Sequence, residues 1–298
     1  MNNTSVNPVE VFPELAQHAG FPEGHTKETL FRYLSSYNLD GLENPELVNY
    51  LKEDFMRFVY TWNLLPQRQA GRALEVGSNP YYTSLLVTKF SKYALDCTNY
   101  FGDQHPSEAS QTMVSKAGND AVTFQYRNLN VETTAPTFNG EHIYDLALYC
   151  EVLEHMTNDP LQAILNIKKC LKPNGCLILS TPNVNRLENV SRMLSGANIY
   201  DPYSGYGPYG RHNREYNKHE LNLLLKHAGF DIEIMFSSDV HANRANDFFN
   251  VNQFAELIRF RKLDLGQYIF IRAVNRFRAN PLKPSWLYRS YTPGELTE

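Results

Sequence analysis

No apolar run in this chain approaches the roughly 18 residues that would cross a bilayer, so no membrane-spanning helix is expected. The opening stretch MNNTSVNPVEVFPEL has neither a basic start nor an apolar core, and it does not read as a secretory signal. Cysteine is scarce, with four among 298 residues, at positions 97, 150, 170 and 176. None stand as CxxC, and Cys150 and Cys176 fall inside apolar runs, which speaks against a disulfide framework or zinc cluster and for a reducing cytoplasm. A basic excess is also missing: the net charge of −4 weighs against a broad nucleic-acid surface. There is no internal repeat and no low-complexity tract. The charge is nonetheless uneven, since residues 257–294 hold eight Lys/Arg against one acid, Asp264. That basic C-terminal region is a candidate for an anionic substrate or a peripheral membrane contact, or is simply a solvated face.

Three parts are expected. Residues 1–70 form a helical extension, because HTKETLFRYLSSY and PELVNYLKEDFMRFVYTWNLL repeat apolar residues every three or four positions. Residues 71–276 alternate apolar runs (RALEV, YALDC, VTFQY, YDLALYC, CLILS, DIEIMF, QYIFIRAV) with helical stretches that include VNQFAELIRF, the pattern of a sheet covered by helices. Residues 277–298 read as a tail.

Four features follow one another in an order suited to S-adenosylmethionine (SAM). In LEVGSNPYYTSLL a strand runs into a helix, and Gly77 lets the backbone approach a ligand, with Ser78 and Asn79 beside it. Glu75 offers a carboxylate to the ammonium end of methionine. Asp96, 21 residues after Glu75, closes the run YALD and is the candidate partner of the ribose hydroxyls. Asn128 and Leu129 follow VTFQYR at the expected adenine, and the strand ending at Cys150 lies beside the methionine half. Asn79 stands where GxGxxG would place its second glycine and the tyrosines Tyr81 and Tyr82 follow where the third would fall, so a dinucleotide would fit poorly.

LEVGSNPYYTSLL, ALDC, YDLALYCEVLEHM and LKPNGCLILSTPN resemble the successive motifs of class I SAM-dependent methyltransferases. The resemblance implies an α/β, Rossmann-like sheet of seven strands, mostly parallel with the last strand antiparallel, and helices on both faces. With GRHNREY before KHELNLLLKHAGF, the chain is also similar to methyltransferases found with bacterial polysaccharide-biosynthesis enzymes.

Methyl transfer to a hydroxyl needs alignment and a proton acceptor or a metal. Glu151, Glu154 and His155 are spaced to share one side of a helical turn, and His212 can join them from GRHNREY. The four are a candidate site for magnesium or manganese and resemble the metal-dependent small-RNA 2′-O-methyltransferases, in which EVxEH is joined by a later histidine. Without a metal, His155 or His212 serves as base, with Glu151 a further catalytic candidate. The Gly/Tyr-rich stretch 194–216 supplies the acceptor-binding candidates Tyr203, Tyr206, Tyr209, Arg211 and Tyr216.

The expected acceptor is a sugar hydroxyl of a glycan, glycolipid or nucleotide-linked precursor. RNA 2′-O-methylation, small-molecule O- or N-methylation, and a catalytically silent SAM-fold scaffold stay as alternatives, and the oligomeric state is left open.

Overall fold

The structure is a computed structural model that describes residues 20–66 and 70–297. The start of the N-terminal extension and its apolar-poor opening lie outside the described residues. Helix α1 (Lys27–Ser35) starts at Thr26, whose hydroxyl accepts from the Thr29 amide while the Thr29 side chain bonds the Thr26 amide. After the short strand β1 (Tyr37–Leu39), helix α2 (Pro45–Leu64) is capped by Asn44 and opens on a proline whose missing N–H costs nothing there. Its residues Leu51, Phe55, Phe58 and Val59 are buried, at the spacing its sequence predicts.

The strands β2 (Gly71–Val76), β3 (Tyr93–Asn99), β4 (Glu108–Ser115), β5 (Ala121–Asn128), β6 (Tyr144–Cys150), β7 (Leu171–Pro182), β8 (Phe230–Ser238) and β9 (Tyr268–Asn275) join β1 in one sheet. Its order is β1-β4-β5-β3-β2-β6-β7-β9-β8, with β9 antiparallel to both its neighbours and β4 antiparallel to β1 and β5. The sheet has nine strands, not seven: the expected set runs from β5 to β8, and β1 and β4 extend its edge. Both additions escape a search for apolar runs, because β1 is three residues long and EASQTMVS buries only Met113 and Ser115.

One face carries α4 (Pro160–Cys170) and α6 (Lys218–His227), whose Ile164, Ile167, Leu221, Leu224 and Leu225 are buried with Leu177, Leu179 and Ile271 of the sheet. The other face carries α2 and α3 (Tyr82–Phe90), with Tyr60 of α2 set against Phe236 and Phe270. Helix α5 (Leu187–Leu194) follows β7. VNQFAELIRF does not form one helix. It breaks into 3-10 turns around the four-residue α7 (Ala255–Ile258).

Residues 277–297 are not a loose tail. β10 (Lys283–Pro284) pairs with β11 (Leu296–Thr297), and buried Tyr288 donates to Asp159 Oδ1 at 2.6 Å while accepting from the Leu161 amide at 2.9 Å. The basic excess of residues 257–294 is largely paired: Arg272 with Glu233, Arg276 with Asp231 and Glu233, Lys283 with Asp159, Arg261 with Asp264. Among the described residues no helix is long and apolar enough to cross a membrane.

Candidate active site

The parallel strands end along one edge of the sheet, and the order reverses between β2 and β6, which is where an α/β sheet opens a crevice. A cavity of about 270 Å³ lies there, bounded by Gly77, Asn99, Leu129, Asn130, Val152 and His155. Gly77 has φ +76°, and a Cβ on it would come within 2.5 Å of the Val152 side chain. Its amide donates to Thr98 O at 2.9 Å, which pins the turn to the neighbouring strand. Both the backbone angle and the space therefore require glycine.

Beside the crevice is a smaller cavity lined by Glu75, Ser78, Cys150, Glu151 and Arg57. Glu75 is buried and accepts from the Ser84 hydroxyl, with no cation acting on it among the described residues. Burial pushes its carboxyl from 4.5 up to about 8, opposed only by the Ser84 bond. Such a group welcomes an ammonium. Burial likewise pushes the Cys150 thiol up to about 12, so it is not a nucleophile. Arg57, on the buried face of α2, meets Glu151 at 3.0 Å and Asp54 at 3.5 Å and also donates to the Tyr50 hydroxyl.

The turn after β6 builds a second group. Leu153–His155 is a single 3-10 turn whose Glu154 carbonyl accepts from the amides of Asn213 (2.8 Å) and Arg214 (3.2 Å). Asn213 Nδ2 donates to His155 O at 2.9 Å, so the distant GRHN segment is stapled onto this turn and His212 arrives beside His155 with ring centroids 5.1 Å apart. One ligand-type atom from each of Glu154, His155 and His212 falls within 4.8 Å of the others.

Each imidazole is held through Nδ1. His155 Nδ1 lies 2.9 Å from the Arg211 carbonyl, which can only accept, so this nitrogen carries the proton and Nε2 keeps its lone pair. His212 Nδ1 lies 3.0 Å from Glu215 Oε1, which favours the same tautomer. Burial, and then the neighbouring His212, lower the His155 value. Burial also pulls His212 down, but the bond to Glu215 and the field of Glu154 outweigh it and the net shift is upward. Glu154 is completely buried. Thr181 donates to its Oε2 at 3.0 Å, while Oε1 has no hydrogen-bond partner and lies 3.9 Å from His155 Nε2. Burial, and then Glu151, push this carboxyl up to about 8.

A family model described as a methyltransferase domain matches residues 49–233, well over half of the chain. The chain belongs to that family. Among curated proteins, it is 27% identical over 157 residues to a ubiquinone biosynthesis O-methyltransferase of Rickettsia canadensis, covering 50% of this chain and 62% of that protein. A ubiquinone biosynthesis O-methyltransferase of Cereibacter sphaeroides is 32% identical over 117 residues, covering 39% of this chain and 44% of that one. The chain thus spans less than two thirds of the length of either relative. Among solved structures, a chain of the complex between the Haloferax volcanii Trm112 methyltransferase activator and a methyltransferase shares the fold at a TM-score of 0.51 and 13% identity, covering 86% of this chain and 99% of that one.

The sequence motifs point to SAM as the methyl donor. The crevice fits it on three observations of this structure: the cradle at Gly77 that a Cβ would fill, the uncompensated Glu75, and the strand-end position of the cavity. Glu75, Gly77, Ser78, Asn79, Leu129 and Cys150 line the two adjoining cavities. Asp96 does not. The strand runs three residues past it, and its carboxylate is held by Arg72 at 2.8 Å, Tyr144 at 2.8 Å and Asn139 at 3.3 Å. The end of β3 that borders the crevice carries Asn99 and Tyr100 instead. Asn128 also turns away: its side chain bonds the Phe101 amide and the Gly102 carbonyl, holding the 99–105 loop.

Glu151 is not part of the histidine cluster. It has φ +56° and turns toward Arg57 and the Ser180 hydroxyl, which leaves three candidate metal ligands instead of four. Of the acceptor candidates, Tyr209 borders the crevice and bonds Asn130 and Glu132, whereas Tyr203 and Tyr206 are more than 90% exposed. Arg211 rests its guanidinium 4.4 Å above the Tyr203 ring, and its carbonyl fixes His155. Tyr216 is core, 1% exposed, and borders no cavity described here. Sequence reasoning missed Arg57, Thr181 and Asn213. The signal for Arg57 was present, as a lone cation among the apolar positions of an amphipathic helix. The other two act through tertiary contacts that leave no local pattern.

Proposed function

We propose that this methyltransferase transfers a methyl group to a hydroxyl oxygen of a small acceptor, with His155 taking the proton. The observation that carries the reading is the open lone pair of His155 Nε2 at the border of the crevice, fixed by the Arg211 carbonyl. SAM, when bound, supplies a methyl already activated on a sulfonium sulfur. His155 Nε2 would take the hydroxyl proton as the acceptor oxygen receives that methyl, the C–S electron pair remaining on sulfur. His155, held below the usual histidine range, is neutral and ready to accept it. The relatives' names, ubiquinone biosynthesis O-methyltransferases, support oxygen as the acceptor atom and put acceptors of that kind first.

Two further readings each have one observation behind them. A sugar hydroxyl is favoured by exposed Tyr200, Tyr203 and Tyr206, whose flat faces and polar tips suit a pyranose. A divalent cation on Glu154, His155 and His212 is favoured by the unpartnered Glu154 Oε1 between two imidazoles oriented through Nδ1. Such an ion would stabilise the acceptor alkoxide, and the mixed oxygen and nitrogen donors suit manganese better than magnesium.

The test is transfer from radiolabelled SAM to a panel of catechols, sugars and RNA, repeated with His155→Ala and after chelation. Label on a catechol or sugar that His155→Ala abolishes while SAM still binds supports the proposal. Label only on RNA, or only on nitrogen, overturns it. Activity lost on chelation and restored by manganese turns the cluster from proton acceptor to ligand set.

A further inference from the structure

A second cavity, of about 360 Å³, adjoins the histidine cluster and shares His212 with it. That volume lies within the usual range of small-molecule sites, about 300–1,000 Å³. One wall is α5, which presents Glu188 and Arg192 four residues apart. The other is the 241–249 segment, tied to α5 because Ser191 Oγ donates to the Ala245 carbonyl and the Arg244 amide donates to Glu188 Oε1 at 3.2 Å.

The cations of this cavity differ in one respect. Arg186 is paired with Glu215, and Arg244 Nε meets Asp247 at 2.9 Å. Arg192 has no carboxylate partner among the described residues. Its guanidinium lies 4.7 Å from the centre of the Phe248 ring, and its Nε is buried without a hydrogen bond. Glu188 stands nearby but is directed elsewhere: its Oε1 accepts from Gln267 Nε2 at 2.7 Å and from the Arg244 amide, while Oε2 is buried and unpartnered. The cavity therefore holds one open cationic donor and one open anionic acceptor, neither satisfied by the other. A buried donor or acceptor left without a partner is costly, and a ligand that supplies both partners removes two such costs together.

We infer that this cavity is the acceptor subsite and that it selects a hydroxylated anion, with a carboxylate or phosphate seated on Arg192 and a hydroxyl donating to Glu188 Oε2. Arginine suits either anion, since its planar fork matches both. The Phe248 ring holds the fork flat and gives an aromatic or sugar ring an apolar surface to rest on. The inference rests on the O-methyltransferase reading, because the acceptor must reach from Arg192 to the cluster at His212.

The experiment uses the full chain and two matched pairs of probes: 3,4-dihydroxybenzoate against its methyl ester, and glucose 6-phosphate against glucose. Binding is measured by calorimetry in the presence of S-adenosylhomocysteine, and turnover separately. The wild type is expected to bind at least one anion more tightly than its neutral partner, and the pair that shows this distinguishes carboxylate from phosphate. Arg192→Met should weaken that anion about 10- to 100-fold, the effect of losing a charged hydrogen bond, with the neutral probe unchanged. Arg192→Lys should recover part of the loss. S-adenosylhomocysteine affinity, unchanged in both variants, shows that they are folded. Equal binding of anion and neutral partner, no binding of either anion, or an equal loss for charged and uncharged probes overturns the inference. Anion binding that depends on Arg192 without any methyl transfer upholds the subsite and overturns the activity proposed for it.

Discussion

Apart from Glu75, the two sides of the active site handle their buried charges in opposite ways. On the cofactor side, a buried cation has its partners in place: Arg57 is surrounded by Glu151, Asp54 and Tyr50, and the turn at Gly77 is fixed by a main-chain bond to the next strand. On the acceptor side, Glu154, Glu188 and Arg192 each keep one buried polar atom without a partner, and they are the only charged side chains among the described residues that do. An unpartnered buried charge costs stability unless something binds it, so the acceptor side is shaped for completion from outside, as Glu75 is on the cofactor side. The cofactor side is preorganised. Its own chain sets the geometry before SAM arrives.

That contrast breaks most visibly at His155. His155→Ala should lower kcat by about 10²- to 10⁴-fold, the usual range for loss of a general base, with SAM affinity by calorimetry within about twofold of wild type. A large loss of SAM affinity in this variant would mean that the two sides are not separable. Gly77→Ala is the mirror experiment. Strain of about 1–3 kcal/mol for a side chain at that backbone angle, added to the contact with Val152, should weaken SAM roughly 100-fold. Acceptor binding should be little changed.

A third test uses pH. The folded-state values of Glu75 and Glu154 are both raised to about 8 from 4.5, so between those limits the folded chain holds protons that the unfolded chain releases. Stability should therefore fall as pH rises from 4.5 to 8, by at most about 1.4 kcal/mol per pH unit per group, and be flat in these two groups outside that window. Melting temperatures of wild type, Glu75→Gln and Glu154→Gln across pH 5–8 check the sign, and each variant should flatten the slope. If Glu75 is the carboxyl that meets the ammonium, bound SAM should flatten the Glu75 contribution alone. The smallest effect is expected at Asp96. Asp96→Ala removes three polar contacts outside the crevice and should cost about 1–2 kcal/mol of stability, with SAM affinity unchanged within about twofold.

The same contrast explains what could be read from the residues in order. The SAM crevice is assembled from strand ends, and a strand with the turn after it is a contiguous word: LEVGSN places Gly77, and YDLALYCEVLEH places Glu154 and His155. Asp96 was misplaced because CTN contains no breaker, so nothing in YALDCTNY marks where the strand stops. Glu151 was misplaced for a geometric reason. The three residues do not share a regular helix: Glu151 is left-handed and only Leu153–His155 turn together, and its carboxylate meets Arg57 and Ser180 instead of the histidines. His212 joins the cluster as expected, but the main-chain bonds from Asn213 and Arg214 that bring it there have no sequence signature. Tyr216 was indistinguishable from its neighbouring tyrosines until packing separated a core ring from exposed ones. The Arg192 cavity was invisible for the same reason, since its walls come from segments about 50 residues apart.

The three residues of β1 have a consequence for how the protein can be divided. The family match begins at residue 49, inside α2, and a fragment cut there would lose α1, β1 and the Asn44 cap. Without β1 the outer edge of β4 would be bare, with Tyr37, Asn38 and Leu39 no longer paired to Ser115, Val114 and Met113. A bare edge is a template for another copy of the same strand, so the minimal domain would exchange a three-residue edge strand for a longer, self-adhesive one.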